Sequence, residues 1–159
     1  MAPVTAQDAA RLAAEIESER QHLDHTVAEI QARTSATDDT TIYALALLLM
    51  NYYTGAEKIF QRIAALLGGI PPAGDRWHAQ LLEDMALDIP AVRPAVLRKE
   101  TADVLSGLLR FRHAIRNLYA WTIRRADMDV HLAALADLHQ RLGADFDAFR
   151  SFLDGLSAI

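Results

Sequence analysis

The sequence predicts an all-α fold, a bundle of about five helices of which four are long. Apolar residues recur at steps of three and four over long stretches, the period of a helix with one buried face. Only seven Gly and five Pro interrupt the chain, and clusters of them separate the periodic segments. A 52% apolar and 23% charged composition suits a globular core and argues against extended disorder. At 159 residues the chain reads as a single helical domain, 1–159, with no internal repeat.

From Ala6 to Arg33, Leu12, Ile16, Leu23, Val27 and Ile30 form the buried stripe of a first helix, and glutamates and arginines lie between them. His22 and His25 sit three apart, but no third ligand stands at matching spacing, so no metal site is expected. The polar run from Thr34 to Thr40 is rich in capping residues and opens a second helix, about Asp38 to Leu67. Its first half, Tyr43 to Met50, is apolar nearly all round and reads as the central core element. Its second half is amphipathic around Gly55, where close approach of another helix is the simplest reason to accept a residue that costs about 1 kcal/mol against Ala.

Gly68 and the prolines at 71 and 72 end that helix. Asp75 is expected to cap a short helix from Trp77 to about Leu87, with Leu81, Leu82 and Met85 inward. Trp77-His78 at its start could be a site, although such a Trp is more often a packing anchor and such a His exposed. Residues 89–96, with Pro90 and Pro94, read as an extended connector. A fourth helix is expected from Lys99 to about Ile123. The polar run from Arg124 to Asp129 then leads to a last helix from Val130, whose core stripe runs from Leu132 through Leu142 and Phe149 to Leu153.

Charge singles out the fourth helix. From Ser106 to Ala126 there are five arginines (Arg110, Arg112, Arg116, Arg124, Arg125) and no Asp or Glu, in a chain whose net charge is −5. On an unbroken helix, Leu105, Leu108, Arg112, Ile115 and Tyr119 share one stripe, and Arg110, His113, Asn117 and Trp121 another. Arg112 and Tyr119 then interrupt an apolar face, which suggests a buried or interfacial polar cluster. On residue types alone, Arg112 could equally be neutralised by Asp38, Asp39 or Glu57 of the second helix. The acidic total argues against a surface coated for general nucleic-acid binding but leaves room for a local basic site. A phosphate loop, a Cys/His zinc pattern, a Gly-x-Ser-x-Gly elbow and a His-Glu-x-x-His motif are all absent from the sequence.

Arg112-x4-Asn117-x-Tyr119 resembles the Arg-x4-His-x-Tyr signature of HEPN-fold ribonuclease toxins of the HepT-like group. The segments Asn51 to Ala64 and Pro72 to Leu82 resemble the blocks that precede this motif, so the likeness spans roughly Tyr43 to Trp121. The resemblance implies a helical homodimer, the toxin of a type VII toxin–antitoxin module, that cleaves RNA or tRNA without metal or other cofactor. It implies a minimal nucleotidyltransferase antitoxin as partner, transferring AMP to Tyr119. It makes Arg112, Asn117 and Tyr119 the catalytic positions, with His113 beside them and Arg110 and Arg116 as further phosphate contacts.

One position departs from the signature. Asn117 stands where the family has His, and an amide cannot relay a proton, although it can hydrogen-bond phosphate. Three explanations stay open: a degenerate member that binds without cutting, a His-to-Asn exchange that silences a toxic protein, or His113 serving instead. Whether the chain is an enzyme is open with them, and the alternative function is a non-catalytic module that binds a nucleotidyltransferase or nucleotide. The N-terminus lacks a signal-peptide pattern, and the longest apolar stretch is well short of the roughly 20 residues that span a bilayer, so a cytoplasmic protein free of membrane is expected.

Overall fold

The computed structural model describes residues 3–68 and 73–158. Five helices follow in order: α1 (Ala6–Gln31), α2 (Asp39–Leu66), α3 (Trp77–Met85), α4 (Lys99–Ile115) and α5 (Asp129–Ser157). Two 3-10 turns, Ala120–Thr122 and Arg125–Asp127, lie between α4 and α5. No strand occurs among the described residues.

Side chains fix where α1 and α2 begin. The Thr5 hydroxyl accepts from the backbone N–H of Asp8, and the Asp8 carboxylate accepts from the N–H of Thr5, so two orphan donors of the first turn are satisfied reciprocally. Asp38 caps α2 in the expected way, accepting from the N–H of Thr41. At its far end the C-cap is Leu67, and Gly68 follows at φ 75°, a left-handed turn that glycine adopts without strain. The prolines expected to stop α2, Pro71 and Pro72, lie outside the described residues.

The core forms where the period-3.6 stripes meet. Leu12, Ile16, Leu23, Val27 and Ile30 of α1 are buried, as are Leu135, Leu138, Leu142, Phe146, Phe149 and Leu153 of α5. Both helices pack on each other, and α1 also packs on α2. At Gly55 a Cβ would lie 2.8 Å from Leu23 Cδ2, so glycine is what lets α1 and α2 approach there. The centre of burial on α2 is its second half, where Tyr52, Tyr53, Ala56, Ile59, Phe60 and Ile63 are all enclosed. The first half was expected to be enclosed on every side and is not. Leu47 is 58% exposed, and Tyr43, Leu48 and Met50 are only partly covered, because neighbours reach one face of α2 there.

Three other expectations change. Asp75 does not cap α3: its N-cap is Arg76, which makes no side-chain capping bond. Residues 89–96 are a compact turn rather than an extended connector, with reciprocal backbone bonds between Ile89 and Arg93 and Ala91 at φ 63°. Arg93, inside that turn, is buried and donates to the Asp84 carboxylate at 3.0 Å and to three backbone carbonyls, which closes the turn onto α3. The fourth helix stops at Ile115 instead of Ile123. Beyond it, Asn favours turn conformations, aromatic and β-branched residues follow, and no buried stripe continues to hold a helix.

Candidate active site

Three helices bring polar side chains together at the C-terminal end of α4. Glu57 comes from the buried half of α2, His78 from the first turn of α3, and Arg112 and His113 from the last turn of α4. These helices pack pairwise, so the cluster rests on the core rather than on a loop. His78 Nδ1 donates to Glu57 Oε2 at 2.7 Å. That bond fixes the ring and leaves Nε2 as the nitrogen free to exchange a proton or bind a ligand. Trp77 stacks on the His78 ring, with centroids 3.6 Å apart, and His113 meets it edge-on at 5.3 Å. The His78 side chain is only 12% exposed, which overturns its expected place at the surface.

Arg112 is the electrostatic centre. Its Nε and Nη1 are buried and find no hydrogen-bond partner among the described residues, and neither does the buried hydroxyl of Tyr53. No described carboxylate forms an ion pair with it: Asp38 caps α2, and Glu57 is taken by His78. Leaving a buried donor unmade costs about 1–3 kcal/mol, and more for a charged group, so folded proteins rarely keep such groups without a use. Burial, helped by Glu57, pushes the Tyr53 phenol well above its ordinary range, with Arg112 opposing. Burial also lowers the His113 imidazole below its ordinary 6.5, followed by the charges of His78, Arg112 and Arg116, while Glu57 acts against them. His113 is therefore held toward its neutral form, able to accept a proton near neutral pH.

The five arginines divide. Arg124 and Arg125 pair with Asp127 and Asp129 at 3.5 and 3.2 Å, so they serve the fold's own acids. Arg110, Arg112 and Arg116 have no ion pair among the described residues. Arg110 reaches Ser106 at 3.1 Å, and its charge is felt by His131 of α5 rather than by His113, which places it beside the cluster instead of within it. Arg116 caps α4 and does act on His113.

Because α4 ends early, Asn117 and Tyr119 do not continue its stripes, and Tyr119 is not part of a buried polar face with Arg112. Asn117 is exposed in the turn. Tyr119 is 74% and Trp121 73% exposed, their rings stacked nearly parallel with centroids 5.7 Å apart. Leu118 beside them is also half exposed, so the segment presents an aromatic and apolar surface flanked by cations. What sequence reading missed was the Glu57–His78 pair. The signal was faint: a Glu on the apolar side of α2, 21 positions from a His that follows a Trp.

A separate groove of about 370 Å³ lies between α1 and α5, lined among others by Arg20, Asp24, His139 and Asp147. Its charges are already paired, Arg20 with Asp147 and His139 with Asp24, each at 2.7 Å. His139 also accepts from the Tyr52 hydroxyl at 3.1 Å. Each charge in that set is thus already neutralised within the fold.

The sequence pattern of the HepT-like protein family matches residues 44–153. The chain belongs to the HepT-like family of HEPN-fold proteins. Neither a curated protein nor a solved structure matches it. Among the described residues no helix is long and apolar enough to cross a membrane, and no group of three or more His, Asp or Glu could hold a metal ion.

Proposed function

We propose that this protein is the toxin-type component of a type VII toxin–antitoxin module, a metal-independent endoribonuclease scaffold acting on RNA or tRNA. The observation that carries the reading is Arg112, whose buried Nε and Nη1 lack protein partners next to a histidine held toward neutrality. A phosphodiester is an anion whose charge such an unneutralised guanidinium can offset. In cleavage, the 2′-oxygen bonds to phosphorus while neutral His113 accepts the 2′-OH proton. The bond from phosphorus to the 5′-oxygen breaks, leaving a 2′,3′-cyclic phosphate and a 5′-hydroxyl. Arg112 offsets the charge that builds on the phosphorane oxygens, and Arg116 adds to the local field. The leaving 5′-oxygen needs a proton from a second group, and Asn117 cannot give one.

Tyr119, exposed and flanked by arginines, is the position at which a minimal nucleotidyltransferase partner attaches AMP. Its phenolic oxygen bonds to the α-phosphorus of ATP and pyrophosphate leaves. The adduct adds negative charge and bulk beyond the basic end of α4 and shuts the site to RNA. Exposed Leu118, Tyr119 and Trp121 suit contact with a second copy of the chain, which would double the cationic field. A cytoplasmic location accords with such a role.

Asn117 favours a second reading, a scaffold that binds RNA or its nucleotidyltransferase partner without cutting. RNA cleavage separates the two. Cleavage by the purified chain that disappears in Arg112→Ala supports the nuclease. Cleavage that appears only in Asn117→His supports a silenced one, and no cleavage in either removes the nuclease reading. Mass spectrometry of Tyr119 after incubation with ATP and the partner transferase tests the modification separately.

A further inference from the structure

We propose that His78, held by Glu57, forms with His113 and Arg112 a phosphate-binding acid–base pair in which His78 is the proton donor to the leaving oxygen. The inference rests on the RNA reading for its substrate, but the site itself stands on geometry. Nothing in the motif assigns a role to His78 or Glu57, which lie on different helices and outside the motif segment.

The argument begins with what Glu57 does not do. It is a buried carboxylate in a helix whose neighbours include Arg112, and the simplest outcome would be an ion pair between the two. Instead its Oε2 lies 2.7 Å from His78 Nδ1, and the guanidinium keeps two buried donors without a partner among the described residues. A carboxylate on one ring nitrogen sets the tautomer and directs the other nitrogen away from itself. The Trp77 ring, stacked on His78, limits its rotation further. The edge-on contact, with centroids 5.3 Å apart, sets the His113 and His78 rings side by side, so a phosphate would lie across their outer edges. Two imidazoles beside an unneutralised guanidinium supply the base, the acid and the cation that displacement at phosphorus uses.

The step balances without a cofactor. His113 takes the 2′-OH proton as the new bond to phosphorus forms. His78, carrying a proton on Nε2 while Nδ1–H stays bonded to Glu57, gives that proton to the 5′-oxygen as the old bond breaks. The pair ends with its protons exchanged, and solvent restores them. The groups that face His113 are His78 from α3, Glu57 from α2, and Arg112 and Arg116 from α4. Of these, only Glu57 opposes the field that keeps His113 neutral. Glu57 is the positioning residue and His78 the proton-transfer residue.

The test is a titration of the histidine side chains of the full chain by NMR, with and without millimolar inorganic phosphate. We expect the His78 and His113 resonances to move with phosphate and the His113 titration midpoint to rise by about one pH unit, the effect of an anion in contact. His139 serves as the internal control and stays still. Glu57→Gln, isosteric and checked for unchanged helical circular dichroism, loses the fixed Nδ1–H tautomer of His78 in its ¹⁵N shifts. His78→Gln weakens the phosphate response of His113. If His78 ignores phosphate while Arg112-dependent RNA cleavage is present, the inference fails and the nuclease reading survives. If both histidines respond but RNA does not bind, the phosphate site stands, while the proton transfer to a leaving oxygen falls with the RNA reading. If neither histidine responds and RNA does not bind, both fail.

Discussion

Tyr52 and Tyr53 are adjacent in sequence and both fully enclosed, yet their hydroxyls have opposite fates. Tyr52 donates to His139 Nδ1 at 3.1 Å, and His139 Nε2 donates to Asp24 Oδ1 at 2.7 Å, so the buried hydroxyl and both ring nitrogens have partners. The Tyr53 hydroxyl has none among the described residues, and near it a second His–carboxylate pair, His78–Glu57, is bonded on one nitrogen only. One side of α2 thus carries a closed relay that locks α1, α2 and α5 together. The other carries an open one beside an unpaired guanidinium. The difference teaches that a buried His–carboxylate pair is not itself a sign of function. What marks a site is the polar capacity left over once the fold's own bonds are made.

The largest way to sharpen that contrast is to remove a proton-bearing side chain from the open side. His78→Gln should lower RNA cleavage by about 10²–10⁴-fold, the usual contribution of a positioned acid or base, measured on labelled RNA in the presence of a chelator. Arg112→Met should lower RNA affinity at least about tenfold in a filter-binding assay. It should also leave the chain as stable as before or more so, by roughly 1 kcal/mol in urea unfolding, because it removes buried donors without protein partners. A clear loss of stability would mean that Arg112 has a structural partner, and the contrast would break.

The tyrosines test the same contrast by stability alone. Tyr52→Phe should cost about 0.5–1.5 kcal/mol, while Tyr53→Phe should change stability by only a few tenths, because it gives up no bond within the protein. Equal losses would show that the Tyr53 hydroxyl is not free. The smallest effect is on pH. The folded His113 binds protons less readily than the unfolded chain's value of 6.5, as does His131, lowered by burial and by Arg110. Below about 6.5 the unfolded state then holds more protons, so stability is full above that pH and declines as pH falls through it. His113→Gln should flatten the acid side of a plot of melting temperature against pH, without altering its neutral plateau.

How much of this was legible in the sequence depends on which forces spoke locally. The stripes of α1 and α5 were readable because burial repeats every three or four residues and little competes with it. The end of α4 was not, because helical spacing continues on paper past Ile115 while the buried partner that would hold it does not. Tyr119 therefore moved from a supposed buried face to the surface, 74% exposed. Arg112, His113 and Arg116 were legible as a concentration of charge without acids, and the structure separates them from Arg124 and Arg125, which their own aspartates neutralise. Glu57 was visible only as a possible mate for Arg112. That it binds His78 instead is a tertiary fact, set by where α3 lands on α2, and no local pattern encodes it.

The central claim is that RNA meets the open side of α2 and α4 and leaves the closed side alone. Photocrosslinking of a short RNA carrying 4-thiouridine to the full chain, followed by peptide mapping, tests it most directly and does not require the protein to cut. The expected adducts fall on the segment from Arg110 to Arg124 and on the peptide holding Trp77 and His78, and they diminish in Arg112→Met. Adducts concentrated on the α1–α5 groove around Asp24 and His139, or an unchanged pattern in Arg112→Met, would contradict the claim.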